Sequence, residues 1–420
     1  MKIKQITITL VSLCITALSG IKAAEAASFT VIADNLNNPG GLSFSNDGKL
    51  YITESGTGGN GACVPPASGE GDPLCYGSNG VVSVIDNGEI KPVLTDLPSL
   101  ALPDGQRAAG PRDIQFDATG QPYVLLGYGT NPTYRESLGE TGLGTIIVPD
   151  FESNSWRSIA DISNYELVNN PDGDDLNSNP LKILIDGNQL VTVDSAANDL
   201  LRVNTDGSDL QALTVLPTQT LTNPVFPPSL TPSNEPEQVP TQTEAPPLEV
   251  SIQSVPTGIA KGLDGAYYIS EYTGFPFPEG GANIYRLGDD GIPTIYAEGF
   301  TQLMDLEFDQ DGNLYALQYA NESGWKGNQD GALIKIAPDG DRTTILSGNG
   351  LESPSALTIS PDGAVYIANR GDRPGEGQII RIDHIQSVPE PNSALGVLTL
   401  SALGFIWLRK SNRRKPLHQV

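Results

Sequence analysis

The side chains of this 420-residue chain that are equipped for chemistry are mostly carboxylates, carboxamides and a few arginines. Two histidines occur, His384 and His418, both close to the C-terminus. A Ser-His-Asp nucleophile, a histidine-ligated copper or iron centre and a conventional zinc site therefore find little support. Glu54, Asp194 and Glu271 each close an alternating apolar run, and Arg112, Asp113 and Asp305 each stand near the start of one. If the fold gathers them, such carboxylates can bind a divalent metal or serve as general acid and base, with Arg135 and Asn198 completing the candidate ligand set. The other reading is that they cap strand ends and pair with one another. The stretch NPDGDDLNSN offers Asp172, Asp174, Asp175, Asn177 and Asn179 as oxygen donors for a hard cation such as calcium. It does not follow EF-hand spacing, since Gly173 falls at the second position and no glutamate falls at the twelfth; an acidic, solvated loop is the alternative.

What positions these residues is a repeat. SPSALTISPDGAVYIANRG at 353–371 is an apolar run, an Asp-Gly turn and a second run, which reads as a hairpin because both turn positions tolerate positive φ. Related stretches recur around Gly48, Gly120, Gly187, Gly265 and Gly312, and the two shortest intervals, 47 and 51 residues, give the bare period. A unit of that size built from short strands without a helical pattern is the signature of a β-propeller blade. Two further strands follow each hairpin, as GVVSVID and EIKPVLT do after GKLYITE. The expected fold is all-β: a six-bladed propeller of the NHL or YWTD kind with four-stranded blades. The sixth unit runs out of strands, and FTVIADNL at 29–36 has the pattern of an outer strand, so the N-terminal strand is expected to complete the last blade and close the ring. The turns joining strands one to two and three to four are tight, whereas every long connection falls in the other class. One face is thus elaborated by loops, the usual place for recognition. The glycines fall in hairpin turns rather than in a phosphate-binding loop.

Both ends read as addresses. Residues 1–26 carry Lys2 and Lys4, an apolar stretch and Ala24-Glu25-Ala26, which fits a secretory signal peptide handled by the Sec translocon and signal peptidase. Residues 27–386 form the propeller, with a Pro/Thr-rich insertion at 217–254 that reads as a flexible linker. Over 387–420, Val388-Pro389-Glu390-Pro391 precedes an apolar run and an arginine-rich cluster. That order resembles the PEP-CTERM sorting signal of Gram-negative bacteria and cyanobacteria, which implies an exosortase partner, transient membrane anchoring and delivery to the cell surface or extracellular matrix. The formal charge of −26 disfavours nucleic acid as a partner. Cys14 leaves with the signal peptide. Cys63 and Cys75, twelve positions apart in a Gly/Pro-rich loop of an exported chain, favour a disulfide over two buried thiols.

Longer stretches carry a family likeness: ESGTGGNGACV, LGYGTNPTYRESLG, NYELVNNPDGDDLNSNP, and above all EYTGFPFP at 271–278 and NDLLR at 198–202. Together they resemble the ScyD/ScyE family, named for proteins encoded with the scytonemin pigment pathway of cyanobacteria. The resemblance spans 29–383 and implies an exported propeller far more firmly than it implies a reaction. The extra residues in DDLNSNP at 174–180 depart from the family pattern and weaken site transfer there. The expectation is a non-catalytic ligand-binding or assembly protein acting through its loop-rich face. The alternative is a periplasmic enzyme using Arg112, Arg135, Asp194 and Glu271 on a phenolic or indolic precursor, a sugar or a lactone.

Overall fold

The computed structural model describes residues 28–67, 71–228 and 248–383. The expected signal peptide, His384 and the whole expected C-terminal sorting segment, including Val388–Pro391, lie outside the described residues, as does half of the Pro/Thr-rich insertion, 229–247. Six antiparallel sheets carry the repeat. Blade 1 contains Pro39–Phe44, Leu50–Glu54, Leu74–Asp86 and Glu89–Ala101; blade 2 runs from Pro111 to Asp161, blade 3 from Pro180 to Val215, blade 4 from Pro256 to Phe300 and blade 5 from Leu303 to Glu352. Blade 6 supplies Ala356–Ile359, Val365–Asn369 and Gly377–Ile382, and its fourth strand is Thr30–Leu36 from the other end of the chain. Thr30 lies opposite Arg381 and Val31 opposite Ile380, so the six-bladed ring is closed by the N-terminal strand as its sequence pattern requires.

Because both faces of each blade are buried, alternate residues of one strand serve two different interfaces. In blade 5, Leu314 and Ala316 pack with Ile284, Phe300 and Leu306 between blades 4 and 5, while Tyr315 and Leu317 pack with Leu357 and Ile367 between blades 5 and 6. Six such apolar layers alternate with the six blades. Each fully buried Leu or Ile in them contributes about 1.5–3 kcal/mol, so the ring is held by layers that no blade makes alone.

Three local features differ from the sequence reading. The Asp-Gly hairpins have positive φ at the glycine only, as at Gly48 (80°), and the amide of Gly48 donates to the Ser45 carbonyl while Ser45 donates to that of Lys49. This is a turn in right-handed geometry followed by one left-handed residue, so it needs the glycine but leaves the aspartate free to cap. Blade 1 gains a fifth, two-residue strand, Cys63–Val64, paired to Leu74–Asp86 with Cys63 opposite Cys75, and the two cysteines are disulfide-bonded. The insertion is not wholly a linker: Gln219–Thr222 pairs with Glu249–Ile252 as a separate ribbon. The long loops also hold two short helices, α1 (Arg135–Leu138) and α2 (Ile162–Asn169), the latter capped by Asp161, which accepts the amide of Asn164 at 2.9 Å.

Candidate functional site

The three carboxylates that close second strands occupy one repeat position, and each is fastened to the connection leading into the first strand of its own blade. Glu54 accepts the amide of Asn37 at 2.8 Å. Asp194 accepts the amide of Asn179 at 2.6 Å and the hydroxyl of Ser178 at 2.6 Å. Glu271 accepts the hydroxyl of Ser254 at 2.8 Å, and both the amide and the side chain of Asn283 at 2.9 and 2.8 Å. Blades 5 and 6 do the same with neutral residues, Gln318 accepting the amide of Thr301 and Asn369 that of Glu352. In blade 2 the equivalent residue is Leu126, opposite Pro111. The position is therefore a strand-end lock that an amide fills as well as an acid. Burial raises the pKa of Glu54 and Glu271, and that of Asp194 to about 6, against the hydrogen bonds that favour their charge. Asp194 and Glu271 are fully buried with both oxygens engaged, which leaves neither a face for substrate.

Asp113 and Asp305 belong to a different column of the repeat. The third residue of the first strand is Gly41, Asp113, Lys182, Gly258 and Asp305 in blades 1 to 5, Ala356 holds the equivalent register in blade 6, and these first strands adjoin one another around the axis. Lys182 reaches from blade 3 to Asp305 of blade 5 at 2.8 Å and stands 3.7 Å from Asp113 of blade 2. The two aspartates also lock blades together, Asp113 accepting the amide of Ile183 and Asp305 that of Leu357. The glycines make the room: a Cβ on Gly41 would lie 2.6 Å from the Cα of Asp113, and one on Gly258 would lie 2.8 Å from the Cα of Asp305. Burial pushes Asp113 up to about 6, while burial of Lys182 is outweighed by its two aspartates, which hold its pKa above the usual range. The central channel is thus crossed by a buried ionic clamp. Lys182 was not among the sequence candidates, although aligning the repeats places it in the same column as both aspartates.

Outside the clamp, at the mouth on the elaborated face, is a cavity of about 220 Å³ lined by Arg107, Arg112, Asn179, Tyr319, Ser353 and Asp372 among others. Of the predicted residues only Arg112 and Asn179 reach it, so the expected convergence of Glu54, Asp113, Asp194, Glu271 and Asp305 at the mouth does not occur. Arg112 is half-buried, and burial lowers its pKa to about 10 despite the neighbouring Asp113; its Nη1 donates only to the carbonyl of Ala108, at 3.3 Å. Arg107 is exposed and makes no hydrogen bond or ion pair among the described residues, and its φ is +52°. Tyr319 donates to Asp372 Oδ2 at 2.6 Å, while Asp372 Oδ1 is buried without a partner. The sequence signal that points here is the massing of long connections on one face.

The remaining candidates are distributed over that face. Arg135 in α1 pairs with Asp161 at 2.6 Å, fixing the start of α2. Asn198 donates to Asp172 at 2.8 Å and accepts the amide of Val255, joining blade 3 to blade 4. Of the candidate calcium donors Asp172, Asp174, Asp175, Asn177 and Asn179, Asp172 and Asp174 are turned towards Asn198 and Gln253, and Asn179 gives its amide to Asp194. Among the described residues no group of three or more His, Cys, Asp or Glu is arranged to hold a metal ion. Two acids that the sequence did not single out are Glu166, on the buried side of α2, and Asp199, at the start of the third strand of blade 3. Glu166 and Asp199 are each 1 % exposed with all four carboxylate oxygens unpartnered, and burial together with the charges of Asp194 and Asp172 raises Glu166 to about 8 and Asp199 well above the carboxylate range.

No protein-family model matches the chain, and no curated protein matches it. Among solved structures it is similar to virginiamycin B lyase from Staphylococcus aureus, at 16% identity and a TM-score of 0.43, covering 82% of this chain and 83% of that one. It is also similar to a gluconolactonase of Xanthomonas campestris, at 11% identity and TM-score 0.41 over 86% and 99% of the two chains. A chain of the nidogen/laminin complex matches at 14% and 0.41, over 70% and 84%. What these share with it is a ring of blades; neither reaction nor ligand follows from so distant a likeness.

Proposed function

We propose that the protein is exported, sorted to the cell surface by its C-terminal segment, and acts there as a non-catalytic ligand-binding or assembly protein through the loop-rich face. One observation carries the reading: the carboxylates that close second strands and those on the axis are used as strand-end locks and as an ionic clamp, whereas Arg107 and Arg112 at the mouth cavity have no carboxylate partner among the described residues. The signal-like and PEP-CTERM-like ends supply the address, and the ScyD/ScyE resemblance agrees with an exported propeller.

Hydrogen exchange of the intact chain, with and without matrix material from a bacterium bearing such propellers, tests the reading. Protection is expected in the loops at 97–111, 127–144 and 272–282. Protection confined to the tight turns of the opposite face, at Gly48, Gly120 and Gly312, overturns it. So does turnover of a phenol, sugar or lactone that survives replacement of the mouth arginines and is lost in Asp194→Asn.

A further inference from the structure

Resting on that reading, we infer that the mouth cavity takes a small organic anion, a carboxylate held by Arg107 and Arg112. The chain has 50 acidic and 24 basic residues, so carboxylate partners for an arginine are abundant. Arg135, Arg286, Arg370, Arg373 and Arg381 each have at least one, and Arg157, Arg202 and Arg342, which have none among the described residues, lie away from the cavity. Arg107 and Arg112, at the same opening, have none. A half-buried guanidinium satisfied by one long contact to a carbonyl retains most of its five donors, and a carboxylate matches their geometry with two parallel hydrogen bonds. An anion there also offsets the desolvation of Arg112.

The rest of the lining narrows the class. Asp372 is held through Oδ2 by Tyr319 at 2.6 Å and by Gln329 at 3.4 Å, and its Oδ1 is closed to solvent, so it shapes the wall of the cavity. Asn179 and Ser353 add neutral polar groups, and Met304 and Ala109 add apolar wall. The 220 Å³ volume lies below the roughly 300–1,000 Å³ of sites for drug-sized ligands, which suits a compact carboxylic acid or the acidic end of a longer molecule. The strongly negative body repels anions at long range, so binding depends on close contact with the two arginines rather than on steering.

The test is calorimetric titration of the full chain with malate and 4-hydroxybenzoate, beside the matched neutral amides malamide and 4-hydroxybenzamide, and with inorganic sulfate. At least one acid is expected to bind and its amide to bind tenfold or more weakly. Arg112→Gln and Arg107→Gln should each weaken the acid about tenfold or more, as expected for loss of a hydrogen bond to a charged group. Arg112→Lys should recover part of the loss, and an unchanged Tm shows that the variants are folded. Amides that bind as well as acids, acids indifferent to both arginine substitutions, or no anion bound at about 10 mM would each overturn the inference. In the last case, matrix-induced protection of the loop face leaves the ligand-binding reading standing; protection of the opposite face removes both.

Discussion

At the scale of single residues, the acids of this protein differ in what their burial costs. Lys182 satisfies Asp305 directly and Asp113 at longer range, and removing it would strand two carboxylates on the axis of the ring. Lys182→Met is therefore expected to lose about 3–5 kcal/mol in chemical denaturation, and adding Asp113→Asn and Asp305→Asn should restore much of it. Recovery that fails in the triple variant would mean that the lysine packs rather than pairs. Glu166 is the opposite case, an acid with no partner to lose. Its folded pKa of about 8 lies above the unfolded value near 4.3, so the native state holds the proton more tightly, and the associated stability is lost as pH rises from about 4 through 8. Glu166→Gln should leave Tm unchanged near pH 5 and raise it above wild type near pH 9. A lower Tm at pH 9, or a wild-type Tm raised by calcium and not in the variant, would show that the charged form is used. The same sign applies to Asp113 and to Glu307, which burial and the charge of Asp305 push up to about 8.

Elements were legible in the sequence where their causes are local. The turn glycines and period-2 runs depend on neighbours a few positions away, and they marked every first hairpin. The strand-end locks were not legible, because Glu54 and Glu271 meet their partners Asn37 and Ser254 17 residues upstream, across a whole hairpin. Alternation says which way such a side chain points, not whether a substrate or a backbone amide waits there. The clamp was readable only by stacking the six first strands, since a lone lysine among apolar neighbours in PLKILID gives no sign of its partners in blades 2 and 5. Two element-scale outcomes follow. Deleting 29–36 removes the fourth strand of blade 6 and exposes its edge, so the ring should melt at lower temperature and with a shallower transition; an unchanged melt would mean that closure does not depend on it. Cys63→Ser with Cys75→Ser releases a constraint worth roughly 3 kcal/mol in the unfolded chain, and should lower Tm modestly while the blades remain folded.

For the whole molecule, six apolar layers and an axial clamp hold the ring together, and the long loops are left to one face. The fold was open to inspection because repetition multiplies a weak signal six times. The mouth cavity was not, because it is assembled from the ends of blades 2, 3, 5 and 6, and no contiguous stretch describes it. The central claim is that the carboxylates hold the scaffold and the arginines meet the ligand. Titration of 4-hydroxybenzoate into Glu271→Ala and Arg112→Gln, each at a temperature where it is folded, tests that division most directly. Affinity in Glu271→Ala should stay within about threefold of wild type while Tm falls, and affinity in Arg112→Gln should drop about tenfold or more while Tm holds. Lost affinity in Glu271→Ala with full affinity in Arg112→Gln would contradict the account.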